Sequence, residues 1–222
     1  MNNPKARIAI IVAILVVVAL IVLYGLFGRN KTSDVTDTPP AQPATSSAAP
    51  SPTPTVIIPE GCPADPHPIA NPVKMYLVNH DNREMPMLSL GMDISNTAPE
   101  APPGTESHTV GWWNEGPAIG SNHGKAVLTS HTFQWGGALG NELNDGLLQV
   151  GDIIKFVGDN GDSACYRYTG AAHILVKDYQ PDSNILYDDS GDPMVALVVC
   201  SDYTPSGDAE GRMIHYGELI HA

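Results

Sequence analysis

The chain has 222 residues, of which 24 are acidic and 11 are basic, and its formal net charge is −13. A surface this acidic makes nucleic acid and anionic lipid headgroups poor partners. No metal, nucleotide or flavin motif is present, so the sequence predicts neither a metal site nor a cofactor. About 60 N-terminal residues look non-globular, which leaves roughly 160 residues, enough for one domain with a hydrophobic core.

The first predicted element is a transmembrane helix at residues 8–27, preceded by a cytoplasmic N-terminus at residues 1–7. The apolar run is unbroken, and at about 1.5 Å per residue it spans about 30 Å, the thickness of a hydrocarbon core. Arg29 and Lys31 follow it without a small-residue cleavage site, which favours an uncleaved anchor. The free amine and the downstream composition favour an inside N-terminus. We therefore expect a single-pass protein of the cell membrane with its folded domain on the extracellular face.

Residues 28–70 are predicted to be a linker and an entry segment. Ser, Thr, Pro and Ala dominate residues 32–54, where no aromatic residue occurs. Such a segment cannot bury enough apolar area to offset its ordering entropy, and its prolines keep it extended. Stalks of this composition are typical of proteins that stand off the outer side of a membrane. The folded domain is predicted to occupy residues 71–222.

Short apolar runs separated by Gly, Pro and Asn-containing turns predict the strands of this domain. They lie at residues 73–78, 109–113, 125–130, 152–157, 165–168, 172–178, 194–200 and 212–220. Eight short strands with few helical patterns predict a mainly β fold, a closed or nearly closed barrel. Residues 138–148 are predicted to hold one or two helical turns.

Three cysteines follow the anchor: Cys62, Cys165 and Cys200. An odd number outside the membrane indicates one disulfide plus one free thiol, or three free thiols. Cys200 is the candidate free thiol, because it ends a strongly apolar strand pattern and polar residues follow it. The commonest role of a free cysteine is that of a small buried hydrophobe. The alternative is a nucleophile.

Two other residues fit a site built on a cysteine. Arg212 opens the last predicted strand, and a cysteine ending one strand can meet an arginine beginning the next across a sheet edge. His131 alone among the eight histidines closes an apolar strand and opens a Gly-rich loop, where site residues tend to lie. A lone histidine of this kind is more often structural. The separations of 69 residues from His131 to Cys200 and 12 from Cys200 to Arg212 favour the site.

These residues resemble the sortases, membrane-anchored cysteine transpeptidases of Gram-positive cell surfaces, and among them the actinobacterial class E and class F types. The resemblance covers about residues 71–222, together with the anchor and the linker. AVLTSH resembles the strand leading to the catalytic histidine, and LLQVGDIIKF resembles the L-x-x-GD strand entry. VALVVC takes the place of TLxTC, and GRMIHYGEL resembles the strand that opens with the catalytic arginine. Leu197 and Cys200 keep the TLxTC pattern, whereas Ala196 and Val199 replace its two threonines.

The resemblance implies an eight-stranded sortase barrel with His131, Cys200 and Arg212 at one end of a groove. It also suggests Leu197, Val199 and Ser130 as groove residues. It implies that the Cys200 thiolate cleaves a sorting-signal peptide of the LPxTG-like or LAxTG-like type to give a thioacyl enzyme. The histidine would protonate the leaving amine, and the arginine fork would stabilise the oxyanion. An amine on a cell-wall precursor or a pilin lysine would then resolve the intermediate, and no cofactor is implied.

The other two cysteines are predicted to form a disulfide. The domain faces an oxidising exterior, and of the three possible pairings only Cys62–Cys165 spares Cys200 for chemistry. This bridge would pin the proline-rich entry segment to the barrel. The alternative is that Cys165 lies in the core and Cys62 is an exposed thiol.

A second hypothesis is a stalked, non-catalytic surface-binding module that kept the barrel. Trp112, Trp113 and Trp135 would then line its binding face, although aromatic residues near strand ends more often pack in the core. An L,D-transpeptidase fits poorly, because in those enzymes the histidine and the cysteine lie close together in an S-H-G-C arrangement. Thiol reactivity separates the enzyme from the binding module.

Overall fold

The structure, a computed structural model, describes residues 57–96 and 98–222. The predicted cytoplasmic N-terminus at residues 1–7, the predicted transmembrane helix at residues 8–27 and the linker up to residue 56 lie outside the described residues. Within the described ranges, no helix is both long and apolar enough to cross a membrane.

Eight strands close into a barrel, as the sequence predicts. They are β1 (Pro72–Leu77), β2 (Arg83–Leu90), β3 (Val110–Trp113), β4 (Lys125–Thr129), β5 (Ile153–Gly158), β6 (Ser163–Leu175), β7 (Met194–Tyr203) and β8 (Ala209–Leu219). Their order around the barrel is β1-β2-β3-β4-β7-β8-β6-β5. The β2–β3 and β4–β7 pairs are parallel, and the other pairs are antiparallel. Helix in the described part is limited to α1 (Leu139–Asn144) and a 3-10 turn at Val176–Asp178. The prediction of a mainly β, eight-stranded barrel is confirmed.

The individual strands differ from the prediction in two places. Strand β2 was missed because Pro86 and charged residues interrupt its pattern, yet its alternation places Met85 and Met87 in the core. The predicted strands at residues 165–168 and 172–178 are one strand, β6, whose register shifts between Tyr168 and Gly170. Gly170 has a φ of 135°, which a glycine adopts readily, so the strand continues through the irregularity. The end of the second predicted run is the 3-10 turn.

The barrel interior is filled by alternate side chains of all eight strands. Phe156 and Tyr166 meet edge to face at its centre, with ring centroids 5.6 Å apart. The Tyr166 hydroxyl accepts a hydrogen bond of 2.7 Å from the Gly120 N–H, so its burial leaves no polar atom unpaired. Ile69 of the entry segment also lies in this core, and its N–H donates to the Ile119 carbonyl at 2.8 Å.

The connection from β6 to β7, residues 176–193, covers the outer face of the sheet formed by β4, β7 and β8. Leu186 packs there on Val127, Ala196 and Ile214. The connection is also tied down by polar contacts, since the Lys125 ammonium donates to the Asn184 carbonyl at 2.6 Å. It therefore forms a fixed wall beside the outer face of β7.

His215 of β8 is a buried base inside the barrel. Its side chain is only 4% exposed and lies beside Tyr168, whose hydroxyl is 3.1 Å from Nδ1. Its Nε2 is buried without a hydrogen-bond partner. Burial disfavours the charged imidazolium and lowers the pKa of His215 to about 4.

We expect His215 to make the barrel sensitive to mild acid. The unfolded chain binds this proton below about pH 6.5, whereas the folded chain binds it only near pH 4, so the free energy of unfolding falls as the pH drops between these values. Protonation of this single group should lower the free energy of unfolding by about 2 kcal/mol between about pH 7 and pH 5. Urea unfolding at the two pH values, compared with His215→Leu, measures the difference. A variant with the same pH dependence as the parent protein would contradict the assignment.

Candidate active site

The three residues singled out in the sequence lie in one row. Cys200 on β7 is paired with Arg212 on β8. On the other side of β7, Thr129 of β4 lies opposite Val198, so His131, two residues further on, falls level with Cys200. Because side chains alternate between the faces of a strand, the paired residues Cys200 and Arg212 belong to the same outer face of the barrel. His131 lies two residues beyond the end of β4, outside any strand.

The hairpin that carries Cys200 and Arg212 is longer than the sequence predicts. The expected loop of residues 201–211 is shortened to residues 204–208, because β7 continues to Tyr203 and β8 begins at Ala209. The pair Cys200–Arg212 therefore lies within a paired ladder instead of at strand ends. Polar residues such as Ser201 carry no apolar signal, so their backbone pairing was not visible in the sequence pattern.

The guanidinium of Arg212 is held by the backbone of its own hairpin. Its Nη1 donates to the carbonyl oxygens of Ala209 at 3.1 Å and Gly211 at 2.7 Å. These two bonds use one nitrogen of a group with five N–H donors. The planar fork is thus held at a defined place beside Cys200.

The ring of His131 is held by the β2–β3 connection. Its Nε2 lies 2.6 Å from the Pro102 carbonyl oxygen, and because a carbonyl can only accept, Nε2 carries the proton of this bond. The ring also stacks on Phe133, with centroids 5.9 Å apart. In the neutral imidazole, Nδ1 is therefore the nitrogen able to accept a proton.

A mostly apolar cavity of about 460 Å³ opens on this face. Its walls come from the β2–β3 and β6–β7 connections, and its floor comes from β4, β7 and β8. The lining residues are Ala98, Pro99, Ala101, Thr129, Ser130, Ile174, Val176, Tyr179, Leu186, Tyr187, Val198, Val199, Cys200, Arg212 and Ile214. Cavities of this size accommodate small molecules or a few residues of a peptide.

The predicted site residues divide between this cavity and its surroundings. Cys200 and Arg212 line the cavity, whereas His131 stands outside the lining. Of the expected groove residues, Ser130 and Val199 line it. Leu197 and Val199 are 3% and 2% exposed and pack in the barrel core, because their positions in the alternation of β7 point both side chains inward.

Sequence reasoning missed the walls of the cavity. Tyr179, Leu186 and Tyr187 lie in the β6–β7 connection, which has no strand or helix periodicity. Tyr187 is held edge to face against Trp113, with ring centroids 5.4 Å apart. A loop that packs by tertiary contacts alone leaves no periodic signal in the sequence.

The three tryptophans do not form a common face. Trp112 is buried in the barrel core, and Trp113 packs under Tyr187. Trp135, in the loop after His131, is 90% exposed. Of the three tryptophans that the surface-binding hypothesis requires at the surface, Trp135 is exposed, whereas the other two pack against other parts of the domain.

A charged network anchors α1 next to the site. Arg83 donates to both carboxylate oxygens of Glu142, and His108 Nε2 lies 2.9 Å from Oε1 of the same group. The hydrogen bond from Arg83 is the main cause that lowers the pKa of Glu142 to about 2. Within residues 57–96 and 98–222, no group of three or more His, Cys, Asp or Glu is arranged to hold a metal ion.

Comparison with known proteins identifies the family of the domain. A family model described as "Sortase domain" matches residues 82–220, more than half of the chain. No curated protein matches the chain.

Among solved structures, the chain is similar to sortase C1 of Streptococcus agalactiae, with 20% identity over 68% of this chain and 67% of that one and a TM-score of 0.49. It is similar to sortase A of Corynebacterium diphtheriae, with 15% identity over 69% of this chain and 62% of that one and a TM-score of 0.48. A third is sortase C-1 of Actinomyces oris, with 16% identity over 70% and 74% of the two chains and a TM-score of 0.48. These three carry class A and class C designations.

Proposed function

Because the chain belongs to the sortase family, we propose that it is a cysteine transpeptidase that uses Cys200 as its nucleophile. The observation that supports this most is the pairing of Cys200 with Arg212 at an apolar cavity, with His131 two residues beyond the end of the neighbouring strand β4. His131 is proposed as the acid and base, and Arg212 as the group that stabilises the oxyanion.

The reaction proceeds in two steps that conserve the thiol. Nδ1 of His131 takes the proton of the Cys200 thiol, and the thiolate attacks the carbonyl carbon of the scissile peptide bond. The C–N bond breaks, and the leaving amine takes that proton from His131. The acyl group is now a thioester. A second amine, which loses its proton to His131, attacks the same carbon, and the C–S bond breaks. The new amide leaves, and the sulfur returns to its starting state.

The cavity and the sequence pattern support the choice of substrate. Its apolar walls suit the apolar residues of an LPxTG-like or LAxTG-like sorting signal placed ahead of the scissile bond. The acceptor is proposed to be an amine on a cell-wall precursor or a pilin lysine. The site is proposed to work on the extracellular face of the cell membrane, held there by the helix at residues 8–27. The resemblance to class E and class F sortases remains part of this proposal.

Incubation with peptides and amines tests the function directly. The full chain in detergent is mixed with LPxTG-type and LAxTG-type peptides and with candidate amines, and product masses are measured. The expected product has lost the C-terminal part of the peptide and gained the amine. Hydrolysis alone would point to a thiol peptidase. Failure to form any thioacyl enzyme or product would favour the non-catalytic binding module.

Replacing Arg212 by lysine should lower transpeptidation by about 100- to 1,000-fold, the usual effect of losing one oxyanion donor. A lysine is a point charge on a flexible stem and cannot reproduce the fork held by two backbone carbonyls. Rates of product formation measure the loss.

The matched control is Arg167→Lys, since Arg167 is an exposed arginine on β6. Wild-type rates in Arg212→Lys would move the oxyanion role to another residue. Arg167 is not placed to take that role, because it is paired with Glu218, six residues along β8 from Arg212. The Arg83 guanidinium is already bound to Glu142.

A further inference from the structure

The backbone ladder between β4 and β7 ends just before the site. Its last bond runs from the Ser130 N–H to the Val198 carbonyl at 3.4 Å. A parallel ladder would continue from the Cys200 N–H to the Ser130 carbonyl and then from the Thr132 N–H to the Cys200 carbonyl. The Cys200 carbonyl instead accepts a hydrogen bond of 3.1 Å from the Thr132 side chain. Where β4 and β7 separate, the Thr132 hydroxyl therefore replaces the backbone N–H as the donor to the Cys200 carbonyl.

Asn144, at the end of α1, supplies a second donor to the same atom. Its Nδ2 lies 2.9 Å from the Cys200 carbonyl oxygen. The partner Thr132 is only 6% exposed, and its own carbonyl accepts a bond of 2.7 Å from the Tyr203 hydroxyl. The Thr132 and Tyr203 hydroxyls also lie 3.0 Å apart. Four side-chain contacts thus join the β4–β5 connection to the strand that carries Cys200.

These contacts bear on the separation of the two reacting side chains. His131 precedes Thr132 in the chain, and its ring is fixed on the far side by the Pro102 carbonyl. On the near side, the link between this segment and the Cys200 backbone passes through the Thr132 hydroxyl and the Asn144 amide. The ladder itself supplies no bond in this row.

We propose that Thr132 and Asn144 are positioning residues that hold Cys200 in register with His131. This inference rests on the proposed function for the roles of those two side chains. A displacement of about 1 Å between a nucleophile and its base can cost about 100-fold in rate, so loss of these bonds acts on the chemical step. Substrate binding in the cavity uses other residues and stays nearly unchanged.

Four variants test the proposal. Thr132→Val keeps the shape of the side chain and removes the hydroxyl, whereas Thr132→Ser keeps the hydroxyl. Asn144→Ala removes the second donor at an exposed position, where the fold tolerates the change. Gln149→Ala is the matched control, because Gln149 lies in the same β4–β5 connection and its side chain bonds only to Gly146.

We expect Thr132→Val and Asn144→Ala each to lower kcat by about 10-fold or more, with KM within about two-fold of the wild-type value. Thr132→Ser should keep most of kcat, and Gln149→Ala all of it. If Thr132→Val does not fold, Asn144→Ala alone decides. A wild-type kcat in Asn144→Ala or in a folded Thr132→Val overturns the proposal. A kcat loss in Thr132→Ser equal to that in Thr132→Val also overturns it.

Alkylation of the full chain by iodoacetamide separates this proposal from the proposed function, because it needs no peptide. The rate for Thr132→Val should fall toward the rate for His131→Ala, and Thr132→Ser should restore it. If the alkylation rates of the variants follow this pattern but the wild-type chain transfers no peptide, the transpeptidase assignment fails and the positioning role holds. If peptide transfer occurs and the Thr132→Val alkylation rate equals wild type, the positioning role fails by itself.

Discussion

Replacing Cys200 by alanine is expected to abolish transpeptidation and to leave the barrel folded. The thiol is the free one in the described part of the chain, it is half-buried, and it lines the cavity opposite Arg212. The proposed intermediate is a thioester, and neither His131 nor Arg212 carries a sulfur that could form it. Activity should fall by at least about 1,000-fold.

Product masses measure the loss of transpeptidation, and a thermal melt shows whether the variant is folded. Removing one sulfur from a half-buried position should change the free energy of unfolding by about 1 kcal/mol or less. His131→Ala serves as the companion variant, since it should lose turnover while its thiol still reacts with iodoacetamide, although more slowly than in the wild-type chain. Full activity in Cys200→Ala would refute the proposed mechanism, and an unfolded variant would assign the residue to the core.

Loss of the bond between Cys62 and Cys165 is expected to give the largest change in stability. The structure joins these two sulfurs across a separation of 103 residues. For a loop of this length, the chain-entropy model gives up to about 4.7 kcal/mol. Cys165 is fully buried with Ile153 and Ile220, so the bond fixes the entry segment to a closed part of the barrel.

Reduction should therefore lower the melting temperature, on the order of 10 °C for a domain of this size. Thiol counting on denatured, unreduced protein should find one free thiol in the wild-type chain and none in Cys200→Ala. Cys200→Ala should lose the same number of degrees on reduction, which shows that Cys200 is not involved. Three free thiols, or a melting temperature that reduction does not change, would contradict the bridge. Below the lowered melting temperature, the reduced enzyme should keep its activity.

The barrel was predictable because its strands carry a local signal. Continuous apolarity marked the strand that carries Cys200, and turn residues separated it from its neighbours. Where local signal and structure disagreed, a specific residue was responsible. Pro86 masked β2, and Gly170 made one long strand look like two.

The identity of the reactive residues was also a local property. A cysteine, a histidine and an arginine placed at strand ends predicted chemistry by residue type alone, before any contact was known. The register of β4, β7 and β8 then depends on the pairing of residues far apart in the chain. The sequence pattern named these residues but carried no information on the length of the hairpin between Cys200 and Arg212.

The sequence by itself therefore determined the β-rich class of the domain and the candidate nucleophile, base and cation, because periodicity and side-chain chemistry belong to single segments. Only the tertiary structure decided what surrounds them. Pro102 comes from the β2–β3 connection, whereas Thr132 and Asn144 come from the β4–β5 connection. Pro102 bonds to His131, and the other two bond to Cys200, in each case through a contact between segments remote in sequence. Barrel closure brings these connections to one edge, and polar contacts made by irregular loops leave no periodic pattern from which they could be predicted.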